Sequence, residues 1–144
     1  MSALPGFCTR FVKRKDGAAA VEFGLVAPFL LAILLGIMAF GSFLGYAHSL
    51  QTAASEAARA AIAGLDPGER VVIATATAQR SIAVSPLLRA SAVTVDAGPD
   101  ANDPDLFTVT LRYDLNATLL SLVPRLLPLP QSLSRSASIR RGGL

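Results

Sequence analysis

The sequence predicts an α+β protein in which a long N-terminal transmembrane helix extends into a small head with one further helix and a short antiparallel sheet. Two observations support this prediction. Residues 23–55 contain no Asp, Glu, Lys or Arg, and apolar side chains alternate with polar ones over residues 107–113. The first pattern is typical of a membrane helix and the second of a half-buried strand. We expect a basic cytoplasmic leader at 1–17, a transmembrane and extended helix at 18–63, and a small extracytoplasmic α+β head at 64–144.

The apolar run is least interrupted between residues 23 and 47. A helix rises about 1.5 Å per residue, so this stretch covers roughly 37 Å and exceeds a bilayer core of about 30 Å. A cleaved secretory signal is the main rival interpretation, but its apolar core is typically only about 7–15 residues long. Pro28 removes one backbone donor, so we expect a kink near the cytoplasmic end of the helix.

The basic residues of the leader set the expected orientation. Arg10, Lys13, Arg14 and Lys15 precede the apolar run, whereas the chain after residue 17 has equal numbers of basic and acidic side chains. Cytoplasmic flanks are enriched in Lys and Arg, so we expect a single-pass protein with a cytoplasmic N-terminus and a translocated head. Because the excess charge is confined to the leader, it indicates a topology signal and no nucleic-acid partner.

One carboxylate, Glu22, interrupts the boundary between the leader and the apolar run. An acidic group at the edge of a span costs free energy unless it has a partner. One interpretation places it among the lipid headgroups, where the dipole of the helix N-terminus favours an anion. A second interpretation follows from its neighbours, because Gly17 precedes it by five residues and Phe23 follows it. This pattern resembles the processing site of type IV prepilins.

The resemblance to prepilins implies that a prepilin peptidase cuts between Gly17 and Ala18 on the cytoplasmic side. The freed amine of Ala18 has an ordinary pKa of about 7.7–8.0, so it is mostly positive at neutral pH. It lies one helical turn from Glu22 and can neutralise that carboxylate, either in the same subunit or in a neighbouring one.

A longer stretch of the sequence resembles one particular family of prepilin-like proteins. Residues 16–31 read DGAAAVEFGLVAPFLL and resemble the opening of TadE-like proteins of the tight-adherence (Tad/Flp) pilus system. Residues 54–61, ASEAARAA, and 134–140, SRSASIR, are similar to the alanine-rich helix and the closing strand of that family. The resemblance implies a minor pseudopilin of the bacterial inner membrane that assists Flp pilus assembly or adhesion. Its expected partners are the membrane, the prepilin peptidase and other pseudopilins or Tad assembly components. The alternative is an unprocessed single-pass envelope anchor or scaffold protein.

The same helix is expected to continue outside the bilayer to about residue 63, where Gly64 is a natural stop. Small residues along it would let another helix approach closely. These candidate packing positions are Gly41, Gly45, Ala53 and Ala57. The alternative interpretation is that they are helix-forming residues without a partner.

The expected head begins with a second helix. Asp66 can cap it, Pro67 suits its first turn, and Glu69 can reach back toward the cap. This helix should end near Val84, because Pro86 follows. Strands are expected at residues 92–95, 107–113 and 133–139. A head of this size has a small core, so we expect partners to complete it.

The sequence shows little that supports catalysis. His48 is the only histidine and is expected at the outer edge of the membrane. There is no nucleophile–His–acid set, phosphate loop or metal-ligand cluster in the sequence. We therefore expect a non-enzymatic protein without catalytic residues, metal, cofactor or small-molecule substrate.

Two further segments invite interpretation. Residues 98–105 are rich in carboxylates but lack the spacing and terminal Glu of an EF-hand loop, so we expect a solvated hairpin loop. Residues 119–130 are apolar but contain three prolines and are too short to span a membrane. We expect them to cover the edge of the sheet or to contact a partner.

Overall fold

The computed structural model describes residues 15–118 and 130–140. Their helices and strands are α1 (Lys15–Ala60), α2 (Pro67–Val84), β1 (Val93–Pro99), β2 (Leu106–Asp114) and β3 (Ser132–Arg140). Short 3-10 turns occupy Ala61–Ala63, Ala90–Ala92 and Leu115–Ala117. The predicted α+β class, with one long helix, one further helix and an antiparallel sheet, is confirmed. Most of the predicted leader and all but the last residue of the 119–130 segment lie outside the described residues.

Two compact units divide the chain within α1, one ending at Met38 and the other beginning at Ala39. In the first unit the described residues form only the N-terminal part of α1. Pro28 lies inside this part, and α-helix continues on both sides of it. The kink expected at Pro28 stays a prediction, as do the three segment boundaries expected from the sequence.

The second unit contains the end of α1, α2 and the sheet. α1 ends in a 3-10 turn closed by a hydrogen bond from the Gly64 N–H to the Ala61 carbonyl (3.2 Å). Gly64 is buried and lies very close to the start of α2. A Cβ atom built on Gly64 would lie 2.6 Å from Cγ of Arg70 and 2.8 Å from the Arg70 backbone nitrogen. The Arg70 side chain in turn donates from Nε to the Gly64 carbonyl at 2.9 Å.

The predicted start of the second helix is confirmed. The Asp66 carboxylate accepts a hydrogen bond from the Glu69 N–H at 2.9 Å, and Pro67 is the first residue of α2. The Glu69 carboxylate accepts from the Leu65 N–H at 2.8 Å, one residue before the cap. Two backbone donors at the helix start are thus satisfied by side chains, as in a capping box.

α2 runs back alongside α1. Alanines on both helices are fully buried or nearly so in one core cluster: Ala53, Ala57, Ala74 and Ala78. Small side chains let two helices approach closely, which explains why alanine occupies these positions. Ser81 of α2 donates a hydrogen bond to the carboxylate of Glu56, and Leu87 beyond α2 lies beside Gly45.

The three strands form an antiparallel sheet in the order β1-β2-β3. Leu111 of β2 pairs with Val95 of β1 on one side and with Arg135 of β3 on the other. The central strand buries alternate residues, as the period of two predicts: Phe107, Val109, Leu111 and Tyr113. α1 contacts β3, because the Gln51 side chain donates to the Ser136 carbonyl at 3.3 Å.

In the loop between β1 and β2, two carboxylates accept hydrogen bonds from nearby residues of the loop and of β2. The Asp100 carboxylate accepts from the Asn102 N–H at 2.9 Å and from the Thr108 hydroxyl at 3.1 Å. The Asp103 carboxylate accepts from the Asp105 N–H at 2.9 Å. The Asn102 N–H first, and the Thr108 hydroxyl second, hold the pKa of Asp100 below its ordinary value. These residues form a hairpin loop, as the sequence predicts.

Candidate functional site

The predicted processing junction lies in the first turns of α1. Gly17, Ala18, Glu22 and Phe23 are all exposed, and no atom beyond their own helix comes within 4 Å of a Cβ built on Gly17. Gly17 is the third residue of α1. The described part of the chain therefore leaves the Gly17–Ala18 bond open to approach.

Ala18 and Glu22 are four residues apart on one helix, so they share a face. Residues at this spacing have Cβ atoms about 5–6 Å apart. A charge placed on the backbone nitrogen of Ala18 would lie close to the first turn, where a long Glu side chain can reach it.

Beyond the junction, α1 has an almost wholly apolar and exposed surface. Large exposed apolar side chains occur in every turn from Val21 to Phe40: Val21, Phe23, Leu25, Val26, Phe29, Leu30, Leu31, Ile33, Leu34, Leu35, Ile37, Met38 and Phe40. By length and composition, the helix Gly17–Ala63 can cross a membrane. An exposed apolar surface of this extent marks contact with lipid or protein.

The four small residues of α1 differ in their surroundings. Ala53 and Ala57 are buried within the head's own core, where the nearby helix is α2 of the same chain. Gly45 is half-buried, and a Cβ there would lie 3.2 Å from Cδ1 of Leu87. Gly41 is exposed with open space around it. Of the four, Gly41 is thus the one that the described residues leave uncovered, whereas the alanines already serve contacts within the chain.

A cleft of about 300 Å³ lies between α1 and α2. Its polar lining includes His48, Thr52, Glu56 and Ser81. The Ser81 hydroxyl is directed to Glu56, so that bond joins the two helices. Among the described residues, no three His, Cys, Asp or Glu side chains are grouped to hold a metal ion. The sequence could not reveal this cleft, because the residues from the two helices are 25 or more positions apart.

The environment of Tyr113 is a second feature that the sequence does not reveal. Its ring lies 5.4 Å from that of Tyr46, centroid to centroid, and its hydroxyl is buried without a hydrogen-bond partner among residues 15–118 and 130–140. Burial raises the pKa of Tyr113. The backbone of Arg89 is near enough to oppose part of this shift, but it does not complete a hydrogen bond of ordinary geometry. Strand alternation predicts that Tyr113 faces inward and says nothing about its hydroxyl.

A long apolar helix followed by a small α+β head is typical of single-pass membrane proteins. Residues 17–59 match the family described as TadE-like protein, so this segment is similar to that family. The predicted resemblance is thereby confirmed for the N-terminal helix. The match begins at Gly17 and ends near the end of α1, so α2 and the sheet lie outside it. Neither a search of curated proteins nor a search of solved structures found a match.

Proposed function

We propose that this protein is a minor pseudopilin of a Tad (Flp) pilus system. In this proposal a prepilin peptidase removes residues 1–17, and α1 stays in the bacterial inner membrane with its N-terminus in the cytoplasm. The protein then assists pilus assembly or adhesion together with other pseudopilins or Tad assembly components. The observation that carries the proposal is the TadE-like match, which starts at Gly17 and runs through the exposed apolar helix.

The cleavage step is a hydrolysis of one peptide bond. Water adds across the Gly17–Ala18 bond and yields the Gly17 carboxylate and the Ala18 amine. The first N–H groups of a helix have no intrahelical partner, and glycine costs about 1 kcal/mol relative to alanine in a helix. Opening the first turn of α1 at Gly17 is therefore inexpensive, and a protease can draw this bond into its site.

Cleavage also changes the electrostatics of the junction. The new Ala18 amine is mostly positive at neutral pH, whereas the same nitrogen carries no charge as the amide of the uncleaved chain. An acidic side chain near the membrane edge is tolerated best when it is paired. Pairing with the Ala18 amine of the same or a neighbouring subunit gives Glu22 a role in setting the register between packed helices.

The test is the mass of the mature chain in cells that contain an active prepilin peptidase. Wild type should begin at Ala18, whereas Gly17→Leu should keep its full length. Gly24→Leu is the matched control, since Gly24 lies on the same helix with equally open surroundings, and it should be shortened like wild type. Full-length wild type beside a correctly processed prepilin in the same cells contradicts the proposal.

An unprocessed single-pass anchor or scaffold is the second candidate. The exposed apolar surface of α1 favours it equally, because that surface requires a membrane and no peptidase. This candidate requires an intact N-terminus and function that does not depend on Glu22. The mass measurement above separates the two.

A further inference from the structure

We propose that the segment from Val84 to Arg89, here called the α2 exit loop, rests on the lipid surface where α1 leaves the bilayer. The head would then have a second, peripheral membrane contact beside its transmembrane helix. This inference depends on the part of the proposed function in which α1 spans the membrane. It does not depend on processing at Gly17 or on a pilus.

The α2 exit loop lies beside α1 close to the expected end of the membrane span. A Cβ atom at Gly45 would lie 3.2 Å from Cδ1 of Leu87, so the Leu87 side chain stands against the helix at that residue. Counting from Phe23, a core of about 30 Å is crossed in roughly 20 residues, so the span ends just before Gly45. Tyr46 follows, half-buried and with its ring 5.4 Å from that of Tyr113, so the head contacts α1 from about this level. Leu87 therefore lies beside α1 at the level of the interface.

The α2 exit loop exposes large apolar side chains. Val84 is 79% exposed and Leu87 is 44% exposed, although both are large apolar residues. Arg89 is exposed at the end of the loop, and Leu88 between them is buried in the head's core. Apolar side chains with a nearby basic residue are typical of segments that lie in the interface, where the former enter the acyl boundary and the latter reaches the headgroups.

Hydrogen bonds and a proline hold the α2 exit loop in a defined conformation. The Ser85 N–H donates to the Ile82 carbonyl at 3.1 Å, and the Leu87 N–H donates to the Ser85 hydroxyl at 3.4 Å. Pro86 fixes one backbone angle between them. The loop therefore presents Leu87 in a defined conformation, and binding to a surface loses little conformational entropy.

Lipid fits the loop better than a protein partner does, because the loop adjoins the span directly. Any apolar side chain at this level lies next to the bilayer as soon as α1 is inserted, without the need for a further subunit. A neighbouring protein that covers the loop is the other possible occupant. Vesicles that hold this chain alone, at a high ratio of lipid to protein, distinguish the two occupants.

The chain supplies a matched control. α2 runs back toward the exit of the span, so Val84 lies at its near end and Val72 twelve positions away, about 18 Å along the axis. Val72 is 67% exposed and has the same side chain. The comparison of Val84 with Val72 therefore keeps the side chain and a high exposure, and changes the expected distance from the membrane.

The experiment uses the full chain with Cys8→Ser, which removes the only cysteine. Single variants Val84→Cys, Leu87→Cys, Val72→Cys and Leu34→Cys are labelled with an environment-sensitive fluorophore. They are reconstituted into phosphatidylcholine–phosphatidylglycerol vesicles with or without nitroxide on the acyl chains. The labels at 84 and 87 should emit at a shorter wavelength than the label at 72. The nitroxides on the acyl chains should quench them nearly as strongly as they quench the label at 34. The label at 72 should show neither effect.

Two results would overturn the inference, and they are distinguishable. If the labels at 84 and 87 behave like the label at 72 while the label at 34 is quenched, the head stands clear of the lipid although α1 spans it. If the label at 34 is not quenched either, α1 is not inserted, and both this inference and the membrane part of the proposed function fail.

Discussion

Gly64 and Arg70 approach each other so closely that a Cβ atom at residue 64 would lie 2.8 Å from the Arg70 backbone nitrogen. The carbonyl of the same glycine accepts the Arg70 side chain at 2.9 Å. The backbone of Gly64 is extended, with φ near −74°, so a side chain is excluded there by space and not by backbone conformation. This contact fixes where α1 ends and how closely α2 starts beside it.

Gly64→Ala should therefore destabilise the head by about 1–3 kcal/mol, because the atoms in the way belong to backbone as well as to a side chain. The measurement is urea unfolding of the detergent-solubilised chain, followed by circular dichroism. Gly98→Ala is the control, since a Cβ there meets nothing within 4 Å, and its unfolding midpoint should change little. Equal midpoints for the two variants would show that the start of α2 moves freely to accommodate a methyl group.

Tyr113→Phe removes a buried hydroxyl that has no hydrogen-bond partner among the described residues. An unsatisfied buried polar group costs about 1–3 kcal/mol, so this substitution should leave the free energy of unfolding unchanged or raise it by roughly 1 kcal/mol. Tyr113→Leu is the contrasting variant, because it also removes the ring contact with Tyr46 and should destabilise the head. A clear loss of stability in Tyr113→Phe would mean that the hydroxyl has a partner.

The β1–β2 loop should make stability depend on acid pH through Asp100. Its folded-state pKa is lowered by the Asn102 N–H and the Thr108 hydroxyl, so the ionised carboxylate favours the folded state. This contribution is fully present above the ordinary pKa of 3.8 and is lost as pH falls through the lower, folded-state pKa. Asp100→Asn should weaken the acid dependence of the urea midpoint below that value. Asp105→Asn, at an exposed site in the same loop, should retain it, and identical acid profiles for the two variants would contradict the assignment.

The sequence predicted those features that depend on local chemistry. Asp66 and Glu69 identify the start of α2 because a capping pattern is readable from neighbouring residues. The alternation of β2 likewise predicts which residues are buried. The sequence could not predict what each face contacts. Ala53 and Ala57 have the spacing of a helix-packing face. Periodicity shows which face of a helix packs but not which element packs against it. Here that element is α2 of the same chain.

The residues of the predicted junction are likewise recognisable from their neighbours in sequence, whereas a long-range contact of α1 is not. Gly17 and Glu22 were identifiable because their spacing resembles that of type IV prepilins, and the TadE-like match begins at the first of them. The contact between Gly45 and Leu87 was not identifiable, since the two residues are far apart in sequence and neither has a distinctive neighbour. Only the return of α2 alongside α1 brings them together.

Glu22 should matter for assembly but not for processing. Glu22→Ala removes the carboxylate that the proposed Ala18 amine would pair with, so an unpaired positive charge would remain at the membrane edge. In cells with an active peptidase, we expect mass spectrometry to show a chain that still begins at Ala18, while the yield of surface pili falls. Glu22→Gln should behave like Glu22→Ala because it keeps the shape without the charge, and Glu22→Asp should restore part of the yield. Normal pilus yield from Glu22→Gln would show that the charge has no role in subunit pairing, and would favour an unprocessed anchor if the N-terminus were also intact.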